Sequence, residues 1–422
     1  MKNQSKLYIA IAIVITLTLG HINFWLRAPD VESFRAGQTG PDVVAQLDGL
    51  SDSLDKGGAE RMQKLFPEGY VFTWALYGLS WVQVGLNEEE TTLHHRAQWE
   101  ARRAVEAIDS EAGRAPFWEH LEPSFGVFYN GWLAWLVGGV LLISEDPPQE
   151  EVDRFRELCD EIARGFRESP TPYLSSYPQA SWPADSVVAV AALRLHDHLF
   201  APRYERDVSD WLRAMDERPD PDTGLLPHKS DATSGDATIA ARGSSQALML
   251  RFLIDIDPQL AREHYMIYRG LFADSVLGMV PGVREYPHGK GGPSDVDSGP
   301  IILGYSGPAT VVGMGAAIAY GDNQLSDPIL RGVELVGLPV TWGGSKRYGF
   351  GRLPVGEAFL VWSKTARPWI TAVPEEVEYE PVLKPWWLWF WHLPSVLMLL
   401  VVWRPVVKRY REQKRFEEGM KK

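Results

Sequence analysis

Along most of its length the chain alternates two kinds of helical segment, and this alternation restricts the folds open to it. One kind is apolar on nearly every side: YVFTWALYGLSWVQVGL (70–86), FGVFYNGWLAWLVGGVLLI (125–143), SVVAVAALRLHDHLF (186–200), SSQALMLRFLI (244–254) and GPATVVGMGAAIAYG (307–321). Each is followed by a segment with one charged face: TTLHHRAQWEARRAVEAI (91–108), the stripe Val152, Phe155, Cys159, Ile162, Phe166, then YERDVSDWLRAM (204–215), PQLAREHYMIYRGLF (258–272) and DPILRGVELVG (327–337). A helix apolar all round must be surrounded by protein, whereas one with a single apolar stripe faces water on its other side. With VVAQLDGLSDSL (43–54) and AERMQKLF (59–66) as a first hairpin, about six inner–outer pairs result. The expectation is a mostly α fold, an (α/α)6 toroid of helical hairpins. Strand patterns are confined to short pieces, MVPGVREYP (279–287) and GEAFLVWSK (356–364). No fixed period supports an α-solenoid.

Both ends carry apolar runs. Residues 7–26 are long enough to cross a bilayer and lack a small-residue cleavage site, so an uncleaved anchor is expected over residues 1–27. Residues 385–403, PWWLWFWHLPSVLMLLVVW, form a second span that tolerates Pro394, and 404–422 form a basic tail. Of the net charge of −13, the first six residues contribute +2 and the tail +5, so the stretch between carries −20. Basic ends around an acidic middle place both termini in the cytoplasm of a bacterial cell membrane and residues 28–384 outside it, in the periplasm. The segment 125–143 is apolar enough to mimic a third span, but no basic flank accompanies it, so a buried helix is expected. An acidic body argues against nucleic acid as a partner. The lone Cys159 excludes an internal disulfide and sits on a helical stripe, as a buried structural thiol does.

Polar residues concentrate in the loops that enter the apolar helices: Tyr129 and Asn130; Tyr177, Trp182 and Asp185; His228, Lys229 and Asp231 with Arg242; Arg284, Glu285, Tyr286, His288, Asp295 and Asp297. In a toroid such loops converge at one mouth. Asp185 and Asp297 are the expected acid/base pair, since paired carboxylates across a cleft are what glycoside hydrolysis requires. The plainer reading of both is as helix N-caps. The turn Asp220-Pro221-Asp222-Thr223-Gly224 delivers His228, a third candidate for proton transfer. Tyr129, Asn130, Tyr177, Trp182, Arg242, Arg284 and Tyr286 are the expected substrate contacts, the aromatic rings as platforms and Arg242 as a seat for an anion at a helix start. No metal and no cofactor are expected. His94-His95 and His196-Asp197-His198 lack the i, i+4 spacing of helical metal ligands, and Gly313-x-Gly315 follows no βαβ strand. Walker A and G-x-S-x-G motifs are absent.

Pro183-Ala184-Asp185-Ser186 at an inner-helix head, the aromatic-rich helices and the N-terminal anchor resemble bacterial membrane-anchored proteins of the linalool dehydratase/isomerase type. That resemblance implies an (α/α)6 toroid. The family's chemistry relies on cysteines near this point, and positions 181–192 here contain none. The expected function is therefore a membrane-tethered, extracytoplasmic, metal-independent acid/base enzyme acting on a carbohydrate or related polar substrate, as a hydrolase or lyase. The alternatives are a non-catalytic envelope protein that binds a glycan or lipid or scaffolds a complex, and a terpenoid or lipid dehydratase-isomerase.

Overall fold

A computed structural model describes residues 2–27, 39–88, 91–372, 378–384 and 386–419. Helix α1 spans Lys2–Trp25 and α2 Pro41–Asp55. They are followed by α3 (Gly69–Asn87), α4 (Thr92–Ile108), α5 (Gly126–Leu142), α6 (Gln149–Glu168), α7 (Pro183–Leu199) and α8 (Glu205–Asp216). A hairpin of β1 (Lys229–Ser230) and β2 (Ala237–Ile239) precedes α9 (Gly243–Ile256) and α10 (Pro258–Phe272). Strands β3 (Ala273–Val276), β4 (Val280–Arg284), β5 (Ile301–Ile302) and β6 (Tyr305–Ser306) pair antiparallel in the order β3-β4-β6-β5. Helices α11 (Gly307–Ala319) and α12 (Asn323–Val336), the hairpin of β7 (Val340–Trp342) and β8 (Ser345–Arg347), then α13 (Pro354–Lys364) and α14 (Trp387–Gly419) complete the order.

The chain is mostly helical, and burial follows the sequence pattern. Helix α5 is buried from Gly126 through Leu141 on every face, so the segment that mimics a membrane span lies inside the protein. Helix α6 buries only Val152, Phe155, Leu158, Cys159, Ile162, Ala163 and Gly165, the stripe a 3.6-residue period puts on one side. Cys159 is fully buried, and burial pushes its thiol well above the usual range, which suits packing and not nucleophilic chemistry. The odd-numbered helices α3 to α13 pack on one another in succession, and α13 packs back on α3. Rings from four of them meet. Phe72 of α3 lies 5.3 Å from Trp132 of α5, and Phe252 of α9 lies 5.4 Å from Trp132 and 5.9 Å from Trp362 of α13. Glycines permit the approach: a Cβ on Gly131 would sit 3.1 Å from the Ala189 backbone nitrogen, and one on Gly315 3.0 Å from the Ser363 Cα.

Two sequence expectations are corrected. GEAFLVWSK, read as a strand, is helix α13, opened by Pro354 at its first turn. A short apolar run does not betray its period, and here burial on all sides within the helix circuit decides it. AERMQKLF is not the outer half of a hairpin; only Gly58–Gln63 is helical. The partner of α13 is α2, which packs against it. A charge network with Lys364 and Glu334 buried and Asp42 half exposed locks the two together: Lys364 Nζ reaches Glu334 Oε1 (2.6 Å), Asp42 Oδ2 (2.9 Å) and the Tyr348 hydroxyl (2.6 Å).

The segments Lys6–Phe24 and Trp387–Glu412 are long and apolar enough to cross a membrane. They lie side by side. Asn23 Nδ2 donates to Ser395 Oγ (2.9 Å) and Trp403 Nε1 to Thr16 Oγ1 (2.8 Å). Helix α14 does not stop at residue 403 but runs on through the basic residues to Gly419.

Candidate active site

The heads of α3, α7 and α9 and the loop leading to α11 meet at one place. Glu68 immediately precedes α3, and the Tyr177 hydroxyl donates to its Oε1 at 2.6 Å. This contact ties the α3 head to the loop that enters α7. That loop turns at Tyr177–Ala180 with Gln179 at a φ of 61°, and the Ser181 hydroxyl donates to the Tyr173 and Leu174 carbonyls at 2.9 and 2.8 Å. Ser230 N donates to the Ser181 carbonyl (3.0 Å), which brings in the β1–β2 hairpin and with it His228.

The next loops are fixed by local chemistry. The Thr223 hydroxyl donates to Asp220 Oδ2 (2.6 Å), and Ala241 N reaches the same oxygen at 3.3 Å, so one buried carboxylate holds both the turn before His228 and the residue before Arg242. Gly243 N donates to the Glu285 carbonyl (2.9 Å), and a Cβ on Gly243 would fall 1.9 Å from the Arg284 carbonyl oxygen, so only glycine fits there. Asp295 and Ser298 close a turn in which Asp295 Oδ1 accepts from Ser298 N (3.0 Å). Ser306 donates to the Ser298 carbonyl (2.7 Å) and caps α11 by accepting from Ala309 N (3.0 Å).

Asp185 is neither exposed nor an N-cap. Trp182 occupies the cap, and Asp185 lies in the first turn of α7, buried, accepting a short hydrogen bond from Ser176 Oγ at Oδ2. Burial, opposed by the Ser176 hydrogen bond and reinforced by the charges of Glu68 and Asp297, pushes its carboxyl up to about 8. At pH 7 it is protonated. Asp297 is not a cap either, since α11 begins ten residues later with Ser306 in that role. It keeps 48% of its side chain accessible. Desolvation nevertheless pushes its carboxyl up to about 6, helped by the Asp295 and Glu68 charges against that of Arg242. Asp185, Asp297 and Glu68 thus feel one another's charge.

Beside them lies a buried layer. Arg242, 3% exposed, has Nε 2.9 Å from Oε1 of the fully buried Glu285 and bonds Asp295 through Nη1. Glu285 accepts from the Ser244 hydroxyl at 2.7 Å, and burial pushes it up to about 7 against that bond and the Arg242 charge. His228 is 4% exposed, with Nε2 3.7 Å from Asp297 Oδ2, too long for a hydrogen bond, and Nδ1 buried without a partner among the described residues. Burial, then the Arg242 and Lys229 charges, lower its imidazole to about 4, so it is neutral at pH 7 and the Asp297 contact is not an ion pair. The Lys229 ammonium sits 4.8 Å from the centre of the Trp182 ring and the Arg242 guanidinium 5.2 Å from that of Tyr286. Nε2 or Nδ1 of His228 and one oxygen each of Asp295 and Asp297 all lie within 4.8 Å of one another.

The structure therefore brings together Tyr177, Trp182, Asp185, His228, Arg242, Tyr286 and Asp297. It does not bring Tyr129 or Asn130 to them. The Tyr129 hydroxyl donates to Asp109 Oδ1 (3.1 Å) behind α4, and Asn130 Nδ2 donates to the Gly126 carbonyl (2.9 Å) within its own helix. Both side chains serve packing and capping. Arg284 lies over Tyr305 at 5.5 Å, Asp231 caps its own turn through Thr233 N and Ser234 N, and His288 faces Asp274 at 3.6 Å. Sequence reasoning passed over Glu68 and Ser176. An acid at the head of an apolar helix, the signal that marks Asp185, also marks Glu68. Ser176 carries no such signal.

No family model matches the chain, and no match emerges among curated proteins.

Proposed function

We propose that the chain is a membrane-tethered acid/base enzyme whose reaction site is the recess at the heads of the inner helices, with Asp185 as general acid. One observation carries this: a buried aspartic acid, raised to about 8 by burial, lies within the electrostatic reach of two further carboxyl groups, Glu68 and Asp297, beside the ring pair Tyr177 and Trp182. A group that loses its proton near pH 8 is matched to donating it at physiological pH. Asp297 is its accessible counterpart across the recess. A carboxyl pair with aromatic platforms fits a carbohydrate or related polyhydroxylated substrate.

The circuit of α3, α5, α7, α9, α11 and α13, each with an amphipathic partner, supports an (α/α)6 toroid with the site at one mouth. The paired apolar helices, the basic ends and the acidic body support a domain outside the cell membrane with both termini in the cytoplasm.

The test is turnover of a panel of neutral and acidic oligosaccharides by the full chain in detergent, with Asp185→Asn and Asp297→Asn alongside. Both variants are expected to fold and melt cooperatively, Asp185→Asn at a higher temperature than the wild type at neutral pH, and to lose turnover by about 100-fold or more, the general-acid contribution. Full activity in both removes the acid/base reading. Saturable binding of a glycan without turnover in the wild type replaces it with a binding role.

A further inference from the structure

We propose that His228, Asp295 and Asp297 form a seat for one divalent transition-metal ion at the mouth of the recess. The proposal depends on the acid/base reading only for the location of the site, not for its truth.

The donor set comes first. One imidazole nitrogen and two carboxylate oxygens are drawn from two loops, and all three atoms lie within 4.8 Å of one another. Two ligands about 2.1 Å from a zinc-sized ion and 3.7 Å apart subtend about 120°, within the range of tetrahedral and five-coordinate sites. The widest pair closes onto such an ion by side-chain rotations of about 1 Å. Asp295 and Asp297 stand two residues apart, in a turn held by the reciprocal Asp295–Ser298 hydrogen bonds, so their carboxyls share one side of the loop.

His228 is the independent observation. It is 96% buried, its ring makes no hydrogen bond among the described contacts, and Nε2 faces Asp297 at 3.7 Å. Only Nδ1 is a buried nitrogen without a partner among the described residues, and Nε2 is the nitrogen turned to the carboxylates. An ion on Nε2 supplies that nitrogen with its partner.

The carboxylates of Asp295 and Asp297, with Glu68 near enough to act on Asp297, favour a cation against the Arg242 and Lys229 charges. The Arg242 charge is shared between Glu285 and Asp295; Asp295 gives Oδ2 to Arg242 and Oδ1 to Ser298 N, so an ion takes a second lone pair of one of these oxygens. The imidazole favours zinc over magnesium and calcium, which prefer oxygen donors; manganese, itself oxygen-preferring, accepts mixed His and carboxylate ligands and serves as a spectroscopic probe. With Asp295 and Asp297 half exposed, three protein ligands leave open positions toward water, where adjacent hydroxyls or a carboxylate of a substrate would bind.

The experiment uses the full chain in detergent, stripped with a chelator, dialysed, and titrated calorimetrically with Zn2+ and Mn2+, with Mg2+ and Ca2+ as comparison. The expected result is one Zn2+ or Mn2+ per chain. Asp297→Asn and His228→Ala should each weaken it by about 100-fold or more, at or beyond the upper end of what losing a supporting contact costs. In Mn2+-loaded protein, electron spin-echo spectroscopy should show a nitrogen coupling that vanishes in His228→Ala. Asp185→Asn should bind the ion as the wild type does while losing turnover, which separates failure of this site from failure of the general acid. No stoichiometric binding, or binding unchanged in both Asp297→Asn and His228→Ala, overturns the proposal. Should His228→Ala fail to fold, the half-exposed Asp297→Asn still decides it.

Discussion

Replacing Asp185 by Asn should stabilise the protein, and increasingly so as pH rises. In the unfolded chain the carboxyl ionises near 3.8, whereas burial holds it near 8 in the folded protein. Between these values the folded state binds one proton more than the unfolded state, so Asp185 makes stability fall by about 1.4 kcal/mol per pH unit. Its contribution is harmless below pH 4, grows unfavourable through the neutral range and levels off above pH 8. At pH 7 the protonation of this one group opposes folding by up to about 4 kcal/mol. Asn is neutral at every pH, keeps the shape, and leaves an oxygen to accept from Ser176 Oγ. Melting curves of the wild type and Asp185→Asn in the same detergent at pH 5.0, 6.0, 7.0 and 7.5 isolate the effect, because other titrating groups largely cancel in the difference. The gap in favour of Asn should widen by about 3 kcal/mol across that range, several degrees in Tm. A gap independent of pH, or a variant less stable than the wild type at pH 7.5, refutes the assignment of a raised Asp185.

The basic limb of the pH–rate profile should fall with a midpoint near 8 as Asp185 deprotonates, and a rate flat to pH 9.5 removes it as the acid. Lys364→Met should destabilise by about 3–5 kcal/mol in denaturant titrations, because it leaves Glu334 and Asp42 with half of their buried countercharge. Gly243→Ala forces a methyl group against the Arg284 carbonyl and should lower stability by about 3 kcal/mol while impairing turnover through displaced Arg242. Tyr177→Phe removes the hydrogen bond to Glu68 and should cost about 1–2 kcal/mol, read as a shift in Tm of the purified chain.

Much of the fold is legible in the sequence because burial is written as periodicity. Helices apolar on every side, such as α5, and striped ones, such as α6, sort themselves into interior and exterior. The last inner helix was not legible. GEAFLVWSK is too short to show its period, and its outer partner, α2, lies some 300 residues earlier, joined through Asp42 and Lys364. At the site, loop position alone picks out Asp185, His228, Arg242 and Asp297. It also picks out Tyr129 and Asn130, whose polar atoms turn to Asp109 and to Gly126. What loop position cannot supply is the convergence of His228 with Asp295 and Asp297, residues nearly seventy positions apart with no ligand spacing between them. The N-cap readings fail for a local reason: Trp182 and Ser306, not the aspartates, stand at the helix starts.

The most direct test of the account is the protonation state of Asp185 itself. Infrared difference spectra of wild type against Asp185→Asn, recorded from pH 5 to 9.5, report the carbonyl stretch of a single protonated carboxylic acid. The account predicts that this band is present at pH 7 and disappears with a midpoint near 8. A carboxylate band at pH 7, with the acid form seen only below pH 5, contradicts it.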